Sequence, residues 1–225
     1  MARKIKTEQE KKRAKKKAIL IFILIVIVGV GIFLGYKYIF KNDDPKKVVE
    51  VKELDNLTEY GYILTDKDSK YFETEYEVLK KILTSSTVDE KEYATQVAKM
   101  FTIDLYTMST KINKYDVGGL EYYYADKKDM FEKKVMDTLY STLLDDTYGD
   151  RDQILPEVTN VEVVSTEDTT YMLGENEVKG YLVKIKITYD SDMGYDDEAS
   201  LVVCKEDGIR WSVVDFQPTL DPEYE

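Results

Sequence analysis

The run Asp190-Ser191-Asp192-Met193-Gly194-Tyr195-Asp196-Asp197-Glu198 sets five carboxylates around one glycine. These residue types can wrap a hard cation such as Ca²⁺, which takes six to eight oxygen ligands. Asp190, Asp192, Asp196, Asp197 and Glu198 are then the candidate ligands. The spacing departs from the EF-hand loop, because Gly194 stands where a ligand belongs and the bidentate Glu at loop position twelve is missing. A solvated loop between strands is therefore the first reading and a cation site the second. Acid–base chemistry would need a carboxylate in a cavity beside a proton donor, for which Tyr122, Tyr123, Tyr124, Asp104 and Asp215 are conceivable lining residues. With nineteen tyrosines in the chain, chance proximity is easy. Asp215, near a strand end, reads more simply as a turn or hydrogen-bonding residue. The chain has no histidine, which removes serine and cysteine triads and most zinc sites. No catalytic residue, no enzyme and no cofactor are expected. Tyr122, Tyr123 and Trp211 remain candidates for the lining of a pocket, and Cys204, in an alternating strand, reads as a small buried hydrophobe.

The elements that must position these residues follow from periodicity. Val48 to Lys52 and Tyr60 to Leu64 are short β-prone pieces around Asp55-Asn56, expected as a small hairpin or an extended arm within a linker spanning 41–70. Apolar positions at helical spacing predict a helix from Tyr71 to Leu83, capped by Ser69 or Asp68. Thr87-Val88-Asp89-Glu90 matches a capping box, in which Thr87 and Glu90 satisfy each other's amides. Behind it Tyr93, Val97, Met100, Phe101, Leu105, Met108 and Ile112 form a core stripe that runs on until Asn113 to Gly119 stops the helix. A third helical stretch is expected from Asp126 to Leu144, with Met130, Phe131, Val135, Leu139, Tyr140 and Leu143 on one side. After Pro156 the period changes to two. Val158 to Ser165, Thr169 to Leu173, Gly180 to Tyr189, Glu198 to Lys205 and Ile209 to Phe216 alternate as strands, the last pair joined by Asp207-Gly208. Helices followed by antiparallel strands predict an α+β domain over 71–218, with three helices packed on a curved antiparallel sheet and a short tail, 219–225.

Charge and hydropathy divide the chain before that domain begins. Nineteen uncharged residues from Ala18 to Tyr36 follow a tail, 1–17, with nine Lys or Arg against Glu8 and Glu10. As a helix that run is about 28 Å long, close to the hydrocarbon thickness of a bilayer. Lys37 and Lys41 can snorkel, so a transmembrane helix is expected over 18–40. A cleaved signal peptide would have a shorter core and small residues after it; Tyr36, Lys37, Tyr38 and Ile39 stand there instead. The positive-inside rule keeps the tail in the cytoplasm and puts the C-terminal domain outside, as a single-pass signal anchor. Gly31 and Gly35 form a Gly-x-x-x-Gly pair on which two such helices could pack. The net charge of −12 divides into +7 on residues 1–17, +2 on Lys37 and Lys41, and −21 on residues 42–225. So acidic a domain excludes nucleic acid as a partner, while the basic tail suits anionic membrane lipid. One cysteine permits no internal disulfide, a scarcity that fits a bacterial surface of Gram-positive type.

Helix, long helix, helix and then a sheet whose last strand reads Trp211-Ser212-Val213-Val214-Asp215-Phe216 is similar to the nuclear-transport-factor-two-like cones, many of which end in a Trp-x-Val-x-Asp-aromatic strand. The resemblance covers roughly residues 70–218. Hung outside the membrane on one N-terminal helix, such a cone also resembles the inner-membrane scaffold subunits of type IV secretion and conjugation machines, although no residue matches a functional motif of theirs. This implies a non-enzymatic protein-interaction domain that meets a protein partner or a second copy of itself. The alternative is an extracytoplasmic domain that binds a small ligand or Ca²⁺.

Overall fold

The structure, a computed structural model, describes residues 48–206 and 208–220. The expected basic tail 1–17, the transmembrane helix 18–40 with Gly31 and Gly35, connector residues 41–47 and residues 221–225 lie outside the described residues. Among the described residues no helix is long and apolar enough to cross a membrane. They form an α+β domain with three α-helices, a four-stranded antiparallel sheet and a separate two-stranded sheet.

The stretch expected as a small hairpin or an extended arm packs as part of this domain, its first strand lying at Glu53–Leu57 and not at Val48–Lys52. Strands β1 (Glu53–Leu57) and β2 (Tyr62–Thr65) pair antiparallel. Tyr62, fully buried, exchanges a hydrogen bond with the Tyr93 hydroxyl at 2.9 Å and donates to the Trp211 carbonyl at 3.2 Å. Helix α1 (Lys70–Leu83) starts where the Ser69 hydroxyl accepts from the Phe72 amide, as expected, and buries Phe72, Tyr76, Leu79 and Leu83 at helical spacing. Each fully buried side chain of this kind contributes about 1.5–3 kcal/mol.

Helix α2 (Glu90–Tyr106) differs from expectation at both ends. Its cap is Asp89, whose Oδ1 accepts from the amides of Lys91 and Glu92 at 2.9 Å each; the Thr87 capping box does not form. A carboxylate so placed also meets the positive end of the helix dipole. The helix stops at Tyr106 although its apolar stripe continues to Ile112. The amides of Met108 and Ser109 turn instead to the Pro156 carbonyl, and Thr107 Oγ1 accepts from the Val158 amide. Tertiary partners thus outcompete the next helical turn. A single 3₁₀ turn, Met108–Thr110, follows.

Helix α3 (Lys128–Asp137) is about half the expected length. Leaving the helix at Thr138 lets Tyr140 enter the core, where its hydroxyl donates to the Leu105 carbonyl at 2.7 Å and accepts from the Gly118 amide at 3.3 Å. Gly118 lies so close to α2 that a Cβ there would stand 2.1 Å from the Asp104 carbonyl oxygen, so the Gly118-Gly119 pair serves close approach as well as chain reversal.

Strands β3 (Val158–Leu173), β4 (Asn176–Tyr189), β5 (Glu198–Lys205) and β6 (Trp211–Gln217) form an antiparallel meander in that order. The two strands expected at 158–165 and 169–173 are one, because Thr166, Glu167 and Asp168 pair without interruption with Val183, Leu182 and Tyr181. The inner face, with Val183, Ile185, Leu201, Val203 and Val213, packs in the main core with α1 and α2. Val202, Cys204 and Val214 face the other way, beneath Tyr124, Tyr171, Leu173 and Val178. Strand β5 is therefore buried on both faces, which its unbroken run Ala199 to Cys204 reflects. Opposite Cys204 in register stands Gly180, where a Cβ would come within 2.6 Å of Cys204 Sγ and 2.7 Å of the Val203 carbonyl oxygen.

Candidate functional site

The three consecutive tyrosines go to three different places. Tyr122 is fully buried and stacks on Tyr62 at 4.8 Å. The next residues run along the free edge of β6, with the Tyr124 amide donating to the Val213 carbonyl at 2.9 Å. Alternation along that edge sends Tyr124 to the outer face and leaves Tyr123 lining a cleft of ≈420 Å³ between α3 and β6. The Tyr123 ring stacks on Phe131 at 4.2 Å, and Phe101 backs both at 5.8 and 5.5 Å. Tyr106 and Phe216, 6.2 Å apart, continue the aromatic lining.

Polar groups edge this aromatic floor. Lys127 and Lys134 come from the helix side; Asp196 and Asp215 come from the sheet side. Tyr106 donates to Asp196 Oδ2 at 3.1 Å. Lys127 donates to the Tyr171 hydroxyl at 2.9 Å and to the Val214 carbonyl at 3.1 Å, fastening the start of α3 to the sheet. Burial, and then the charge of Asp215, push the Tyr123 phenol up to about 12; burial and Asp196 raise Tyr106 further. Both remain neutral hydroxyls at physiological pH, fit to donate hydrogen bonds and unfit to act as bases. Met130, expected on the buried side of its helix, is 70% exposed at the mouth of the cleft.

Of the residues singled out in the sequence, Tyr123, Asp196 and Asp215 meet here. Trp211 does not: it is buried against Tyr181, ring centroids 5.2 Å apart, and lines a separate depression with Glu90, Asp168 and Lys179. The carboxylates of the 190–198 run are spent separately. Asp190 accepts from the Glu157 amide, Asp192 from the Gly194 amide, Asp196 from Tyr106 and Glu198 from the Leu220 amide. Among the described residues no three His, Cys, Asp or Glu side chains are grouped so as to hold a metal ion. Asp197 stays an exposed loop residue whose carbonyl accepts from the Ile187 amide.

A second, smaller cavity of ≈230 Å³ lies beside β2 and is lined by Asp68, Asp104, Lys111 and Glu121 among others. Lys111 is buried and paired with Asp104, whose other oxygen accepts from the Gly119 amide. Burial alone would lower the Lys111 ammonium, but Asp104 outweighs it and holds the lysine above its usual range. Glu121 Oε2 accepts from the Ile63 amide at 3.1 Å, tying β2 to the tyrosine segment. Burial chiefly, with Asp104 and Asp68 adding like charge, pushes its carboxyl up to about 7.

The sequence reading missed Tyr106, Lys127 and Lys134 in the cleft and Lys111 in the smaller cavity. Lysines on or beside a helix resemble a solvated face, and no local signal marks these three. The chain matches no family model, no curated protein and no solved structure.

Proposed function

We propose that this chain is a non-enzymatic, single-pass membrane protein whose α+β domain stands outside the membrane and holds a protein partner in the cleft between α3 and β6. The order of helix, long helix, short helix and four-stranded meander ending in Trp211 to Phe216 supports a nuclear-transport-factor-two-like cone. An anchor of nineteen uncharged residues behind a basic tail supports display at the cell surface, as in a scaffold of an envelope or secretion assembly.

The observation that carries the binding role is the cleft itself. Aromatic rings form its floor, charged groups its rim, and Met130 stands in solvent at its mouth. An exposed methionine of this kind adapts to a partner's apolar side chains, and the aromatic rings beneath it, themselves buried, give it a packed backing. The experiment is copurification of the full-length chain in mild detergent, wild type beside Met130→Glu. A discrete partner set recovered with wild type and lost with the variant, at unchanged near-ultraviolet circular dichroism, supports the reading; identical sets contradict it. A volume of ≈420 Å³ also lies within the range of small-molecule sites, which favours a small ligand as the second reading.

A further inference from the structure

The ≈230 Å³ cavity beside β2 shares no lining residue with the cleft, and its charge is unbalanced: Asp68, Asp104, Asp116 and Glu121 stand against Lys67 and Lys111. Part of this set holds the fold together. Lys111 and Asp104 pair with each other, and Asp116 accepts from the Ile112 amide at 2.9 Å. Asp68 and Glu121 are engaged through one oxygen each. Asp68 Oδ2 accepts from the Thr65 amide and hydroxyl, and Glu121 Oε2 accepts from the Ile63 amide. Among the described residues nothing donates to Asp68 Oδ1 or Glu121 Oε1, and neither carboxylate has an ion-pair partner. Tyr122 is a third unmet group. It is fully buried, its hydroxyl has no hydrogen-bond partner, and the carboxylates whose charge acts on that hydroxyl are Glu121, Asp104 and Asp68. Its ring stands behind the lining, 6.5 Å from that of Phe72. Burial raises both the Asp68 and the Glu121 carboxyls, so holding them as anions here costs free energy that an entering cation offsets.

The kind of cation follows from how these acceptors are placed. Among the described residues no three carboxylates are grouped so as to hold a metal ion. An ammonium asks for less, since its three N–H donors can be shared among separate acceptors. Ile63, Ile112 and Leu120, half-buried, border the same space and suit a short alkyl chain. The volume equals the liquid share of about seven water molecules, so the compound is small. We infer that this cavity binds a small primary alkylammonium compound, its ammonium held between Asp68 and Glu121 and its chain along Ile63, Ile112 and Leu120. The Tyr122 hydroxyl turns its oxygen toward that ammonium. Glu121 must be ionised to hold it. The charged groups around Glu121 are Asp68 and Lys67 from the turn before α1, Asp104 from α2, Lys111 and Asp116 from the segment after α2, Lys128 at the start of α3 and Arg210 before β6. With the Glu121 carboxyl pushed up to about 7, affinity rises with pH, about tenfold from pH 6 to pH 8.

The test titrates the detergent-solubilised full chain with n-butylammonium by calorimetry. Saturable binding is expected at pH 8, about tenfold weaker at pH 6. Tetramethylammonium, which has the charge and no N–H, should bind at least about tenfold more weakly than n-butylammonium. Glu121→Gln can keep the hydrogen bond to the Ile63 amide, so it should hold its fold, weaken n-butylammonium by about tenfold or more and abolish the difference between pH 6 and pH 8. Tyr122→Phe should weaken the amine while raising the melting point of the free chain, because it removes a buried hydroxyl that has no partner. A merely structural tyrosine would not give both. No saturable binding of n-butylammonium at millimolar concentration overturns the inference, as does equal affinity for tetramethylammonium or binding that Glu121→Gln leaves unchanged. Displacement of the amine by micromolar Ca²⁺ overturns it in favour of a metal site. None of these outcomes touches the cleft, which the Met130→Glu copurification decides independently.

Discussion

Glu121→Gln should make the protein more stable at pH 8 and leave it nearly unchanged at pH 4.5. Glu121 stands in the ≈230 Å³ cavity with Asp68 and Asp104, half-buried, and its carboxyl is pushed from an ordinary 4.5 to about 7, mainly by burial. The folded state thus holds this proton more tightly than the unfolded chain does. Below pH 4.5 both states are protonated and the residue is neutral in its effect. As pH rises from 4.5 to 7 the unfolded chain releases the proton first, so stability falls; above 7 the full cost is present and the curve is flat. A displacement of this size corresponds to about 3 kcal/mol, at 1.36 kcal/mol per pH unit. Glutamine carries no charge, and its amide oxygen can still accept from the Ile63 amide, the one hydrogen bond Glu121 makes to β2. At pH 8 the variant should therefore melt higher by about 6–12 °C for a domain of this size. The assay is thermal unfolding of the full chain followed by near-ultraviolet circular dichroism, which reports on the tyrosines and the single Trp211, at half-unit steps from pH 4.5 to 8.5. An offset independent of pH would refute the reasoning. So would a lower melting point at pH 8, since it would mean that the carboxylate is stabilised as an anion.

Lys111→Met should cost about 3–5 kcal/mol in urea unfolding, because it strands Asp104 beside Asp68 and Glu121, and adding Asp104→Asn should recover part of the loss. Gly180→Ala should cost about 1–3 kcal/mol by the same measurement; Cys204→Ala should not rescue it, since the Val203 carbonyl oxygen still stands 2.7 Å from the new Cβ. Asp89→Ala should lower stability by about 1 kcal/mol while Thr87→Ala changes it little, and a cost confined to Thr87 would restore the capping box that the structure lacks.

What was legible in the sequence is what local chemistry decides. Ser69 before an amphipathic run gave α1 to within a residue, and alternation through Val183, Ile185 and Ile187 gave β4 its faces. What was not legible is what distant partners decide. The stripe from Tyr93 to Ile112 promised a helix nearly two turns too long, because nothing near Thr107 announces that the Pro156 carbonyl will capture the next amides. Thr166-Glu167-Asp168 fell between two expected strands and is itself strand, since its conformation is set by the opposite strand rather than by its own propensity. The cleft was half visible for the same reason. An aromatic cluster at Tyr122 to Tyr124 pointed to a core or a pocket, and the β6 edge decided that only Tyr123 lines it. Of the opposing lysines, Lys134 sits on a helix that ends where Tyr140 turns into the core, and Lys127 on the turn before that helix.

The proposed display of the domain outside the membrane is measurable, because the native cysteine is buried. Cys204 is fully buried and its thiol is pushed up to about 11 by burial, so the native chain should be silent to a membrane-impermeant maleimide. Asp192→Cys places a thiol on an exposed loop, and Thr7→Cys places one in the basic tail. With the domain outside, Asp192→Cys is labelled in intact cells and Thr7→Cys only after permeabilisation. Labelling of Thr7→Cys in intact cells, or of Asp192→Cys only after lysis, would contradict it.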